Sequence, residues 1–171
     1  MADMKQIKVE KVTLNMGVGG PGPNLDKAIK LLETITGKKP VTTKTKKRIP
    51  TWGLRPGLPI ATKVTLRGKD AEELLKRLFE ALEKSISPRR FDSQGNFSFG
   101  IKEYLDIPGM TYIIEIGMMG LEVAVTLARP GFRIKKRRIG CKKIPTRHKI
   151  SKEEAMNFIT ETYGVKVQKG E

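Results

Sequence analysis

The chain has 171 residues, with 34 Lys and Arg against 18 Asp and Glu, a formal charge of +16 and an isoelectric point near 10.1. Its length suits one domain with a real core, its charge points to an anionic partner, and no apolar run reaches the ~18 residues that would span a membrane. One Cys and one His exclude an internal disulfide and cannot alone build a Cys/His zinc site, and no secretory leader pattern opens the chain, so a soluble intracellular protein without metal or cofactor is expected.

Residues Ile7 to Met16, IKVEKVTLNM, alternate at Ile7, Val9, Val12 and Leu14 with one slip at Glu10 and Lys11, which predicts a half-exposed, bulged strand. GVGGPGPN follows, and Gly17, Gly19 and Gly22 match the G-x-G-x-x-G pattern of dinucleotide sites. Pro21 and Pro23 stiffen this stretch and no acidic residue in a following strand about 20 residues on is placed to hold a ribose. It is read as a Gly/Pro turn, its amides capable of loose phosphate contact at most. With Asn24 as N-cap, Leu25, Ile29, Leu31 or Leu32, and Ile35 recur at helical spacing until Gly37 stops the run.

From Glu33 to Asp70 there is no intervening acid, while Lys38, Lys39, Lys44, Lys46, Lys47, Arg48, Arg55, Lys63 and Arg67 stand among threonines, prolines and the only Trp. Unpaired charges stay in water because burying them is costly, yet VTT and IATKVTL on either side favour strands. Two strands carrying a basic, semi-rigid loop outward are expected. Asp70 to Lys84 then predicts a helix, acidic at its start, with Leu74, Leu75, Leu78, Phe79 and Leu82 as its buried stripe.

Pro88, Gly95 and Gly100 mark turns, leaving Asn96 to Gly100 room for a brief strand. Phe97 and Phe99 faintly suggest an aromatic RNA-stacking strand, but the full basic-Gly-aromatic signature is missing and packing is preferred. Leu121 to Leu127 predicts a strand with Val123 and Val125 inward and Glu122 and Thr126 outward, whereas Tyr112 to Ile116 fits either its hairpin partner or an apolar-studded loop. A second acid-free run follows Arg129, with Arg133, Lys135, Lys136, Arg137, Arg138, Lys142, Lys143, Arg147 and Lys149. Such density can stay disordered until a polyanion neutralises it. Cys141 and His148 lie inside it without the acidic third group a nucleophilic pair needs, so His148 is read as a hydrogen-bonding side chain near phosphate. Ser151 and Glu154 form a capping box for a last helix through Ala155, Phe158, Ile159 and Thr162 to Tyr163 and Gly164, and VKVQKGE is a short strand or a frayed end.

The fold expected is α+β: a single domain over residues 1–171, with a largely antiparallel sheet and helices packed on one face, RRM-like or ferredoxin-like. A loop protrudes at about 46–58 and a basic extension lies at about 129–150. Strand alternation places Thr13, Asn15, Thr43, Thr45, Lys63 and Thr65 on the open face or at strand ends. Hydroxyls and amides interleaved with Lys and Arg suit phosphate and ribose 2′-hydroxyls, and with no basic helix for a major groove, structured RNA is favoured over duplex DNA. A charge-driven, nonspecific polyanion or membrane-surface binder is the competing class. A nucleic-acid-processing enzyme is less favoured, because the acids are scattered rather than clustered for metal ions.

LNMGVG at Leu14 to Gly19, TGKKPVTTKTKKRI at Thr36 to Ile49, GLRPGLPIATKVTLRG at Gly53 to Gly68 and FDSQGNFSFGIKEY at Phe91 to Tyr104 resemble, in order and spacing, the universal large-subunit ribosomal protein family L five. RPGFRIKKRRIGCKKIPTRHKISKEEAM resembles its archaeal and eukaryotic branch. The resemblance implies a cytoplasmic, ribosome-bound, non-enzymatic protein, monomeric within the ribosome, that binds 5S rRNA and attaches it to the large subunit at the central protuberance. Large-subunit rRNA, neighbouring large-subunit proteins and the P-site tRNA are its other implied partners. The family's 5S-contacting positions fall on Asn15 and Thr65. A third, commonly glutamine, is Lys38, a departure that replaces a shared amide contact with a cation for phosphate. The family's tRNA-side loop falls on Arg48, Pro50, Thr51, Trp52, Gly53, Leu54 and Arg55, and Tyr112 to Ile116 is implied to be loop. The run after Arg129 is expected to meet 5S or neighbouring large-subunit RNA.

Overall fold

The computed structural model describes residues 4–167. Its strands are β1 (Lys8–Gly17), β2 (Val41–Lys44), β3 (Pro59–Leu66), β4 (Ser85–Ile86), β5 (Phe97–Ile101), β6 (Leu121–Ala128) and β7 (Lys166–Val167), and its helices are α1 (Pro23–Thr36), α2 (Lys69–Ala81) and α3 (Lys152–Tyr163). β1 is the centre of a five-stranded sheet in the order β2-β3-β1-β6-β5, and every neighbouring pair is antiparallel. Without the segment between α2 and β6, the path is β-α-β-β-α-β, the ferredoxin-like arrangement. The bulge predicted at Glu10 and Lys11 is present as a register shift between Val9 and Lys11.

Alternation decides what the sheet buries. Val12, Leu14 and Met16 of β1, Val64 and Leu66 of β3, and Leu121, Val123, Val125 and Leu127 of β6 are buried on one face. α1 packs against β3 and α2 against β1 on that side, with Leu31, Leu32, Leu75, Leu78 and Phe79 fully covered. Each such side chain contributes about 1.5–3 kcal/mol when taken out of water. Phe97 and Phe99 belong to this core: they are 3% and 5% exposed, with ring centroids 6.1 and 5.9 Å from that of Phe79. Stacking on RNA bases is therefore closed to them, and packing holds.

Several boundaries differ from expectation. α1 starts at Pro23 with Gly22 rather than Asn24 as its N-cap. Proline at the first helical position needs no N–H partner and brings a suitable φ, so the proline overrides the capping side chain. α2 stops at Ala81, before Lys84, and has no basic residue in its last turn; Glu83 and Lys84 have positive φ values of 51° and 53°, which turns the chain into β4. Tyr112 to Ile116 is loop, the one of the two open readings that the resemblance implied. α3 keeps both bonds of its capping box, Ser151 with Glu154. Lys166 and Val167 pair in parallel with Ser85 and Ile86, so the start of the tail is strand, while residues 168–171 lie outside the described part.

Candidate nucleic-acid interface

Among the described residues, no helix packs on the other face of the sheet. In register, Thr13 of β1 stands opposite Thr65 of β3 and Ala124 of β6, and Asn15 stands opposite Lys63 and Glu122. Cross-strand partners share a face, so these residues form one continuous polar surface. The Thr13 and Thr65 hydroxyl oxygens are 3.4 Å apart, and the Asn15 side-chain amide donates from Nδ2 to Glu122 Oε2 at 3.1 Å. Lys63, Thr65 and Glu122 are exposed.

Of the other sheet-face candidates, Thr43 is half-buried beside Ala61, its partner across β3, and its Oγ1 donates to Ala61 O at 3.2 Å. Thr45 does not belong to the surface. It follows a register shift between Thr43 and Lys44, is buried, and donates both its N–H and its hydroxyl to Leu58 O at 2.8 and 3.0 Å. The shift breaks the period-two alternation that had placed it outward. Lys38 is likewise off the sheet, in the link from α1 to β2, with its Nζ 2.9 Å from Asp70 Oδ2. It still lines the same groove as Lys39, Lys63, Thr65 and Arg67, so its cation borders the open face.

The loop from residue 45 to 58 closes through paired backbone bonds between Ile49 and Leu54, both at 3.0 Å. A single 3-10 turn, Pro50–Trp52, ends at Gly53, whose φ of 65° favours glycine. Arg48, Pro50, Thr51, Gly53 and Arg55 are exposed, and Trp52 keeps 71% of its surface open. Leu54, also placed in this loop by the resemblance, is buried and anchors it. Among the described residues, Lys46, Lys47, Arg48 and Arg55 make no ion pair.

The run after β6 is built differently. The Arg129 side chain, 7% exposed, places Nη2 2.8 Å from Glu154 Oε1 and donates from Nη1 to Lys149 O at 3.2 Å. The Ser151 backbone N–H, together with Arg129, holds the Glu154 carboxyl below the usual carboxylate range. Lys136 pairs with Glu10 at the β1 bulge, and Arg137 Nε donates to Gly140 O at 2.8 Å. His148 is half-buried against Phe132; its Nε2 donates to Pro130 O at 2.9 Å, so its ring is engaged inside the fold. Arg133, Lys135, Lys136, Arg137, Arg138, Lys142, Lys143 and Arg147 are exposed.

The strand register sets these two basic segments at opposite ends of the sheet. Gly17 pairs with Ala61 next to the loop, while Lys8 pairs with Ala128 next to the extension. Spacing along the chain had not revealed the acids that meet the cations and amides: Glu10, Asp70 and Glu122. Alternation had put Glu122 on the outward face, but only the β1-β6 pairing brings it to Asn15.

The chain matches a family model described as ribosomal protein L5 over residues 3–55, and a second model, described as the C-terminus of that ribosomal family, over residues 59–158. The junction falls in the loop between β2 and β3, yet β1 and β2 from the first match alternate in the sheet with β3 and β6 from the second, so one domain spans both. Proteins named large ribosomal subunit protein uL5 are similar over nearly their whole length. That of Nanoarchaeum equitans is 50% identical over 96% of this chain and 97% of its own, and that of Sulfurisphaera tokodaii is 49% identical over 98% and 95%. That of Methanobrevibacter smithii is 46% identical over 96% and 97%.

Proposed function

This chain belongs to the ribosomal protein L5 family, and on that premise we propose that it holds 5S rRNA on the open face of its sheet and fixes that RNA in the large subunit's central protuberance. It is a structural protein of the large ribosomal subunit and not an enzyme. The observation that carries the 5S assignment is the contrast between the two faces: one is packed under α1 and α2, and the other presents the half-buried Thr13 and Asn15 in register with the exposed Thr65 and Lys63 across β1 and β3. A helix-free polar surface of hydroxyls and amides bordered by cations matches the sugars and phosphates of folded RNA.

The Arg48 to Arg55 tip extends toward the P-site tRNA, supported by its acid-free cations and open Trp52. The extension, with Arg133, Lys135, Arg138, Lys142, Lys143 and Arg147 exposed, lies on 5S or neighbouring large-subunit rRNA at the other end of the sheet. Lys38, Thr43 and Lys63 serve the edge of the 5S surface. Neighbouring subunit proteins complete the surroundings of a single copy.

Direct binding tests the assignment. Asn15→Ala and Thr65→Val should each weaken 5S rRNA affinity by roughly 1–3 kcal/mol, because RNA groups would be left unpaired at a dehydrated contact, while the melting temperature is retained. Wild-type affinity in both variants would remove the sheet face from the model. A specific complex should also keep its preference for 5S over competitor RNA as salt rises, although absolute affinity falls.

A further inference from the structure

The open face carries one feature that charge alone does not explain: a carboxylate on β6 beside Asn15 of the central strand. Glu122 is exposed on β6, and among the described residues no Lys, Arg or His nitrogen lies within ion-pair distance of it. Its hydrogen-bond partner is Asn15, one of the two residues on which 5S binding was placed above. Arg90 and Lys102 line the hollow that surrounds this pair, together with the small residues Ser98, Gly100 and Ala124. On the other side, Lys39, Lys63 and Arg67 line the groove along β3 together with Lys38, which is paired with Asp70 there.

Resting on the 5S reading, we infer that Glu122 sets the chemistry of this surface: it holds Asn15 as a hydrogen-bond acceptor toward RNA and keeps phosphate away from the centre. An ionised carboxylate has no proton to donate, so the Asn15 amide must turn its nitrogen to Glu122 and present Oδ1 on the side away from β6. The second Glu122 oxygen is also an acceptor. Acceptors on two neighbouring strands fit donors: ribose 2′-hydroxyls and the exocyclic amino groups of bases, guanine above all. A phosphate oxygen at the same place is repelled by Glu122, more strongly as RNA displaces water. Phosphates then lie on the cationic rims, and the centre faces sugars and base edges. A wide, shallow A-form minor groove displays those donors, and the small residues Ser98, Gly100 and Ala124 leave it room for close approach. Glu122 is thus a positioning and specificity residue, and Asn15 makes the contact.

The test titrates wild type, E122A, E122Q, N15A, T65V and the N15A/E122A double variant with a 5S rRNA transcript and with an unrelated RNA duplex of equal length, across a range of salt. Asn15, Thr65 and Glu122 all lie outside the core, and the melting temperature of each variant checks that it folds. E122A should lose about tenfold in 5S affinity, of the size expected for one lost hydrogen-bonding pair. N15A should then cost less in the E122A background than in wild type, because a freed amide no longer holds its orientation. E122Q should weaken 5S binding, leave its salt dependence unchanged and strengthen binding of the unrelated duplex. Tighter 5S binding by E122Q with a steeper salt dependence would put a phosphate at the centre and overturn the inference. So would an N15A cost that is the same in both backgrounds. Wild-type 5S binding by N15A and T65V together would be a different failure, that of the 5S surface itself.

Discussion

The loop joining β2 to β3 and the segment joining β6 to α3 are both acid-free and strongly basic, yet among the described residues only the second is fastened to the fold through its charged side chains. The loop is shaped by its own backbone, the Ile49–Leu54 pair and the Thr45–Leu58 bonds, and by burying Leu54. The extension is held by distant acids: Glu154 on Arg129, and Glu10 on Lys136, 126 residues away in sequence. Basic density along a chain therefore does not measure the charge free to meet RNA. What matters is which acids the fold brings back to it.

Removing the Arg129 anchor should give the largest effect. Arg129→Met takes away a buried guanidinium that the carbonyls of His148 and Lys149 and the Glu154 carboxylate surround, and a loss of about 2–4 kcal/mol in urea unfolding is expected, below the full penalty of a broken buried pair because Glu154 stays partly solvated. Protease cleavage should appear within residues 129–150 and not within 46–58. If both segments stayed equally protected, the contrast between them would be lost.

Acid should sharpen the same contrast. The Glu154 carboxyl has its pKa lowered from the ordinary 4.5 in the folded protein. Its contribution is therefore complete above that value and lost as pH falls through the depressed one. Cleavage of the extension should rise over that acidic window while cleavage of the loop, which contains no carboxylate, changes little. Glu154→Gln should flatten the response, and an unchanged profile in that variant would assign the acid sensitivity elsewhere.

The smallest effect on the protein itself belongs to Trp52. Because this side chain packs on almost nothing, Trp52→Ala should shift stability by no more than about 0.5 kcal/mol and leave 5S affinity intact, while tRNA binding to assembled ribosomes changes. A drop in 5S affinity would show that the loop and the sheet act as one surface.

The sequence carried the framework where local physics decides. The slip at Glu10 and Lys11 announced the β1 bulge, Ser151 and Glu154 announced the start of α3, and alternation sorted β6 into inward valines and outward Glu122. It failed where the answer lay across strands. Thr45 was placed outward because a single-residue register shift after Thr43 is invisible in a run of alternating Thr and Lys. His148 was read toward phosphate, since the carbonyl that its ring meets belongs to Pro130, 18 residues away. The two-residue strands β4 and β7 have no periodicity to detect. At the surface proposed for RNA, Asn15 and Thr65 were legible as polar outward positions, but the Asn15 partner was not.

That partner also ties the surface to the order of synthesis. Asn15 is made early, and Glu122 lies 107 residues later; at the usual pace of translation the interval is roughly 5–20 s. β1 meanwhile lacks one of its two neighbours, because β6 is that neighbour and closes the sheet only after the long loop before it has emerged. A nascent or truncated chain thus exposes the asparagine without the carboxylate that orients it. The surface proposed for RNA is therefore complete only once β6 has joined β1.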